Sequence, residues 1–174
     1  GMGKIYHGGY NDELSWSVPW ASPKAEAYAL ADNKALVRKK RQKAIAEGKN
    51  EDRLQAASKG PAYEGADVPD NTFHDGTLAD MAVAALRDLK QKRQPFFLAV
   101  GFIKPHLPFV SPKKYWDLYD PAKIPLAPNP FRPKGAPEYA VLEGGELRAY
   151  ENVPRGHLPD DLARRLKHGY YAAV

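Results

Sequence analysis

Between Thr77 and Arg93 the apolar residues recur at helical spacing, with Leu78, Ala82, Ala85, Leu86 and Leu89 on one face of a 3.6-residue period. Thr77 with Asp80 three residues later resembles a capping box. Lys90, Lys92 and Arg93 complement the negative end of the helix dipole, and Pro95 blocks continuation. The pattern predicts an amphipathic helix of about four turns. At Phe96 it changes: Phe-Phe-Leu-Ala-Val-Gly-Phe runs unbroken to Phe102 and Ile103 extends it, which is how a strand buried on both faces reads. A helix leading into such a strand predicts an α/β fold. Ligands of open α/β sheets gather beyond the carboxyl ends of the strands, and there the sequence puts Lys104-Pro105-His106. His106 is therefore the first candidate functional residue.

Weaker patterns fill in the rest. Ser22-Pro23 offers a hydroxyl N-cap followed by a proline at the first helical position, and Ala25 to Ala46 is mostly strong helix formers, so a long helix is expected there. Gly48 to Asn71 reads as loop. From Pro105 to Pro137 there are nine prolines, too many for regular helix or central strand, which predicts a long irregular loop lying over the strand ends. Inside it, Tyr115, Trp116 and Tyr119 beside Leu118 suggest a short helix packed down as an anchor. Pro159-Asp160-Asp161 opens a last helix with Leu162, Leu166 and Tyr170 on one face, and Val174 ends the chain without a glycine cap or proline stop. Gly1 before Met2 is left out of the fold reading.

Composition narrows the classes. With 174 residues and 43% apolar content, a single domain with a real core is expected. The longest apolar run falls far short of the roughly 20 residues of a membrane-spanning helix, so no membrane partner is expected. Without cysteine no disulfide, thiolate metal site or cysteine nucleophile can be built. A net charge of +5 favours an anionic partner such as nucleic acid, a membrane surface or a sulfated or phosphorylated substrate. Lys34, Arg38, Lys39, Lys40, Arg41 and Lys43 form a cationic cluster, but no aromatic residues interleave with them for base stacking. They read as a solvated helix face, and nucleic acid is not expected as a partner.

Histidine suits proton transfer near neutral pH, so each of the five is weighed. His74, His157 and His168 lie in polar contexts without a partner motif and read as structural or exposed. His7 lies in Gly3-Lys4-Ile5-Tyr6-His7-Gly8-Gly9, where lysine and histidine flank two apolar residues and a glycine pair permits close approach. By itself this leaves an anion site and a plain surface loop both open.

Pro95 to Phe109, reading Pro-Phe-Phe-Leu-Ala-Val-Gly-Phe-Ile-Lys-Pro-His-Leu-Pro-Phe, closely resembles the strand and loop of sulfatases of the iduronate-2-sulfatase type, and so does Gly3 to His7. Ser15-Trp16-Ser17, Ala127-Pro128-Asn129-Pro130 and the closing Tyr-Tyr-Ala-Ala-Val support the match in order. The resemblance implies an alkaline-phosphatase-like α/β fold, with residues 1–174 as a single segment from the middle of the catalytic domain, truncated at both ends. It further implies a formylglycine made in a Cys/Ser-x-Pro-x-Arg motif, a calcium ion, and a sulfated carbohydrate as substrate, with a phosphoester as a variant. In that frame Lys4 holds the nucleophile and the sulfate oxygens, His7 is the base for sulfate release, and His106 binds sulfate and protonates the leaving oxygen. A secreted or periplasmic parent is implied as well.

The departures matter equally. No Cys/Ser-x-Pro-x-Arg, no aspartate pair before Lys4 and no Asp-His-Gly occur in the sequence, so it contributes no metal ligands. Asp160-Asp161, the only adjacent aspartates, sit at a helix start and read as a dipole-complementing cap. The chain by itself is expected to be inactive. The alternative is a non-catalytic anion-binding remnant. Strands missing their neighbours leave open edges, which predicts a homo-oligomer.

Overall fold

The computed structural model describes residues 1–7, 10–140 and 145–174. Its regular elements are β1 (Met2–Gly3), α1 (Ala31–Ala46), α2 (Glu51–Ala57), β2 (Tyr63–Ala66), α3 (His74–Lys92), β3 (Val100–Gly101), β4 (Phe109–Pro112), α4 (Lys113–Trp116) and α5 (Asp160–Ala173). They form two small parallel sheets, β1 with β3 and β2 with β4, and the α/β expectation holds at that level.

The second sheet carries the core. Tyr63 to Ala66 runs in register with Phe109 to Pro112, and α5 lies across both strands. Ala62, Tyr150, Val153 and Leu166 are buried together, with Phe109, Leu147, Leu158 and Leu162 packed around them. Trp116 from α4 fills the remaining gap, and two glycines make room for it. A Cβ at Gly169 would come 2.8 Å from the Trp116 ring and one at Gly65 would come 3.0 Å from it. His168 Nε2 meets the Trp116 carbonyl at 2.8 Å, so the aromatic anchor expected around Tyr115 to Tyr119 exists, with Trp116 as its buried member.

Several expectations are corrected. The first long helix begins at Ala31, not near Ser22. Ala21 is tied by a bridge to Met2, and the segment that follows is drawn away from helix by Tyr28, which is buried and donates to the Pro61 carbonyl. The buried Glu64 carboxylate then accepts from Ala29 N–H at 2.6 Å and from Leu30 N–H and Asn33 Nδ2, capping α1 from a distant strand. Such a tertiary cap leaves no local sequence signature. The stretch 48–71 is not a plain loop, since it contains α2 and β2. The proline-rich stretch also yields a buried strand, β4, whose Pro112 closes it.

The helix over 77–93 begins earlier, at His74, and no capping box forms. Thr77 Oγ1 instead donates to the carbonyls of Asn71 and Phe73, and Asn71 Nδ2 donates to Asp80. The largest departure is the apolar run. Only Val100–Gly101 forms a strand, and Phe96, Phe97 and Phe102 are 51%, 83% and 52% exposed. A two-stranded sheet offers no neighbouring layer to cover them, so the run does not form the doubly buried strand that its composition predicts.

Candidate functional site at the carboxyl ends of the first sheet

β1 and β3 are parallel, so their carboxyl ends lie at one edge, and both sequence-predicted regions leave from it. Lys4 follows β1 directly and its N–H donates to the Gly101 carbonyl at 2.6 Å. The approach requires glycines. A Cβ on Gly3 would meet the Gly101 oxygen at 2.3 Å and Leu78 at 2.4 Å, and one on Gly101 would meet the Lys4 oxygen at 2.0 Å. Gly3 also has φ +70°, a conformation side chains disfavour. The Trp20 indole N–H donates to the Gly3 carbonyl at 2.8 Å and pins this corner.

Lys4 and His7 are both exposed, the Lys4 ammonium reaching the Tyr6 carbonyl at 3.3 Å. The glycine pair after His7 lies outside the described residues.

His106 stands on the loop beyond β3, between two cis prolyl bonds, Lys104-Pro105 and Leu107-Pro108. Asp75, in the first turn of α3, fixes the start of that loop by accepting from Ile103 N–H at 3.0 Å and Lys104 N–H at 2.7 Å. The Lys104 ammonium turns inward to the Pro108 and His106 carbonyls, and burial pushes its pKa down to about 8 against the opposing pull of Asp75.

The His106 ring faces an acceptor on each side, the Leu107 carbonyl 2.8 Å from Nδ1 and Glu146 3.4 Å from Nε2. Glu146 is itself held by the Lys59 ammonium at 2.6 Å, and that hydrogen bond, with Lys59 and His106 nearby, lowers its carboxyl below the ordinary range.

The sequence-predicted residues thus share a sheet edge without sharing a cavity. The larger cavity, about 770 Å³, is lined by Phe102, Ile103, Lys104 and Leu107 around the His106 loop, but by none of Lys4, His7 and His106. The smaller, about 460 Å³, lies by Glu64, Trp116 and His168. Among the described residues no group of three or more histidine and carboxylate side chains is placed to hold a metal. Calcium requires oxygen ligands, which Lys4, His7 and His106 cannot provide, and formylglycine requires a motif this sequence lacks; the residues present do not fit either group.

Sequence reasoning missed Asp75, Glu146 and Lys59, and it read His74 as structural or exposed, without a partner motif. In the structure His74 Nδ1 lies 2.8 Å from Asp75 Oδ1 and His74 Nε2 lies 3.0 Å from Ser22 Oγ. Adjacency of His74 and Asp75 was a usable signal, whereas nothing local points from His106 to Glu146 forty residues later. The basic cluster of α1 is partly paired, Lys40 with Glu151, Arg41 with Glu51 and Lys43 with Glu47, in keeping with a solvated helix face.

No protein-family model matches the chain. Iduronate 2-sulfatase of Mus musculus is 32% identical over 186 aligned residues, covering 99% of this chain and 31% of that protein, and iduronate 2-sulfatase of Homo sapiens matches to the same extent. A sulfatase of Formosa agariphila is 49% identical over 39 residues, 22% of this chain and 8% of that protein. The chain therefore spans about a third of the length of its iduronate 2-sulfatase relatives. Matched from end to end in this way, the chain is similar to a segment of about a third of an iduronate 2-sulfatase.

Proposed function

We propose that the chain forms part of an alkaline-phosphatase-like catalytic domain that hydrolyses sulfate esters of sugars, and that its share of the work is the binding of sulfate and the handling of protons. The supporting observation is the parallel pairing of β1 with β3, which brings Lys4 and the His106 loop to one strand edge although about a hundred residues separate them in sequence. Lys4 is the fixed cation for sulfate oxygens. His106, with an acceptor beside each ring nitrogen, is arranged to carry a proton and to deliver it to the leaving alcohol oxygen. His7, on the exposed turn after β1, is the base that takes a proton as sulfate departs. The chain by itself lacks a nucleophile motif, so turnover belongs to the full-length protein.

The test is hydrolysis of a sulfated sugar by the full-length protein carrying Lys4→Ala or His106→Gln. Losing a fixed charge or a proton donor in the transition state is expected to lower kcat by about 10²–10³-fold. Rates within about twofold of the unsubstituted protein for both variants would remove these residues from the site. Inorganic sulfate titrated into the 174-residue chain separates the second reading, a non-catalytic anion-binding module, which predicts saturable binding lost in Lys4→Ala without any activity in the parent.

A further inference from the structure

The geometry points to a second chemistry that the sulfate-ester reading does not use: Ser22, His74 and Asp75 form a hydrolytic triad suited to short carboxylic esters. The three residues come from two places in the sequence, and the first sheet brings them together. Gly3 N–H donates to the Ala21 carbonyl and Ala21 N–H to the Gly1 carbonyl, so the backbone around Ala21 runs parallel to β1 and delivers Ser22 to the same carboxyl-end edge as Lys4. Asp75 reaches that edge from the other side, through its bonds to the Ile103 and Lys104 amides.

The chain of hydrogen bonds has the order catalysis requires. Asp75 accepts from two backbone N–H groups as well as facing His74 Nδ1 at 2.8 Å, so its position is fixed and it acts as an acceptor. That places the imidazole proton on Nδ1 and leaves the Nε2 lone pair toward the Ser22 hydroxyl at 3.0 Å. Ser22 is exposed, while His74 and Asp75 are mostly covered, with side chains 23% and 18% accessible. An accessible nucleophile backed by a sheltered base and orienter is the arrangement expected of an activated serine.

The cavity of about 770 Å³ has His74 and Asp75 in its wall, beside Phe73, Phe102, Leu107 and Val110 and the polar Glu26, Asp70 and Lys104; Ser22 is not part of that lining and meets the cavity only through His74. A short acyl group is the size of substrate such a neighbouring space takes.

In the reaction the Ser22 hydroxyl gives its proton to His74 Nε2 as Oγ bonds to the acyl carbon. The carbon–oxygen bond to the alcohol breaks, and the alcohol leaves with the proton from His74. Water then attacks the acyl-serine, losing a proton to His74, and the carboxylic acid departs as Ser22 regains its hydroxyl proton. Each proton returns to where it began, and the net change is one ester and one water to one acid and one alcohol.

The experiment uses the 174-residue chain with a fluorophosphonate probe, peptide mapping of the modified residue, and p-nitrophenyl acetate hydrolysis. Labelling is expected at Ser22 and is expected to vanish in Ser22→Ala, while ester hydrolysis falls at least about 100-fold in Ser22→Ala and in His74→Gln. Ser22 is on the surface, so Ser22→Ala should keep the thermal unfolding of the parent chain, which separates lost chemistry from lost structure. A folded chain left unlabelled at Ser22, or a Ser22→Ala variant with unchanged hydrolysis, overturns the proposal. Neither result bears on Lys4 or His106, since sulfate ester turnover is read separately in the full-length protein.

Discussion

The two sheets of this chain are built alike, each from two short parallel strands, and they end up in opposite environments. β2 and β4 lie under α5 and around Trp116, with Val110, Ser111 and Ala66 almost wholly covered. β1 and β3 are followed or preceded by Phe96, Phe97 and Phe102, all of them half exposed or more, and by polar residues at the carboxyl edge. Strand pairing is the same in both, so the difference lies in what is laid over the strands. The sheet under α5 carries the core, whereas the other, met by Leu78 of α3 at Gly3, holds the candidate edge beside the exposed rings of Phe96, Phe97 and Phe102.

The largest expected effect lies on the covered side. Trp116 fits between Gly65 and Gly169 and stacks edge-on against His168, with ring centroids 4.8 Å apart. Both glycines are already as small as residues can be, so they cannot fill the space its removal leaves. Trp116→Ala is expected to lose about 3–5 kcal/mol in urea unfolding, the range for deleting a buried aromatic ring. A loss below about 1 kcal/mol would mean that this half is not the stable one and that the comparison is misdrawn.

What was legible in the sequence follows the same division. Elements whose signal is local were readable: α5 begins at the acidic pair after Pro159 as expected, and the helix ending at Lys92 was placed within a few residues. Elements fixed by distant partners were not. The start of α1 depends on Glu64, and β2 has only four residues within a segment that reads as loop. The apolar run from Phe96 misled because composition reports what a strand can bury, not whether a second layer is there to bury it. The placement of Lys4 and the His106 loop beyond strand ends was readable because each follows a strand. Glu146 and Asp75 reach the His106 loop from elsewhere in the chain, and that information is purely tertiary.

A smaller effect probes the boundary between the two halves. Lys104 sits at the foot of the His106 loop with its pKa lowered to about 8 by burial. Between pH 8 and its ordinary value near 10.4, the unfolded chain binds a proton there that the folded chain has released, so unfolding takes up protons and stability rises with pH across that window. Below about pH 8 both states are protonated and the full cost of burying the charge is felt. The rise should amount to roughly 1–3 kcal/mol between pH 7 and 10. Tyr28 and Tyr150, whose phenols are pushed up mainly by burial, oppose the trend only as the pH passes the ordinary tyrosine value, so the measurement stops at pH 10. Lys104→Met, in urea unfolding at several pH values, should be more stable than the parent chain at pH 7 and should lose the rise. An unchanged slope would assign it to another group.

The smallest effect on stability, and the sharpest contrast with Trp116, belongs to Phe97. Its ring is 83% exposed, so almost none of its apolar surface leaves water on folding, and Phe97→Ser should shift unfolding by less than about 0.5 kcal/mol. The same exposure has a different consequence between molecules. Phe97 lies beside Phe96 with Phe102 close in sequence, and β3 pairs among the described strands with β1 alone, so the chain is expected to associate with itself through this face. Sedimentation of the 174-residue chain should then show a dimer or larger species that Phe97→Ser weakens. A parent chain that sediments as a monomer at all concentrations would show that these rings tolerate water without a partner, and the contrast between the halves would rest on stability alone.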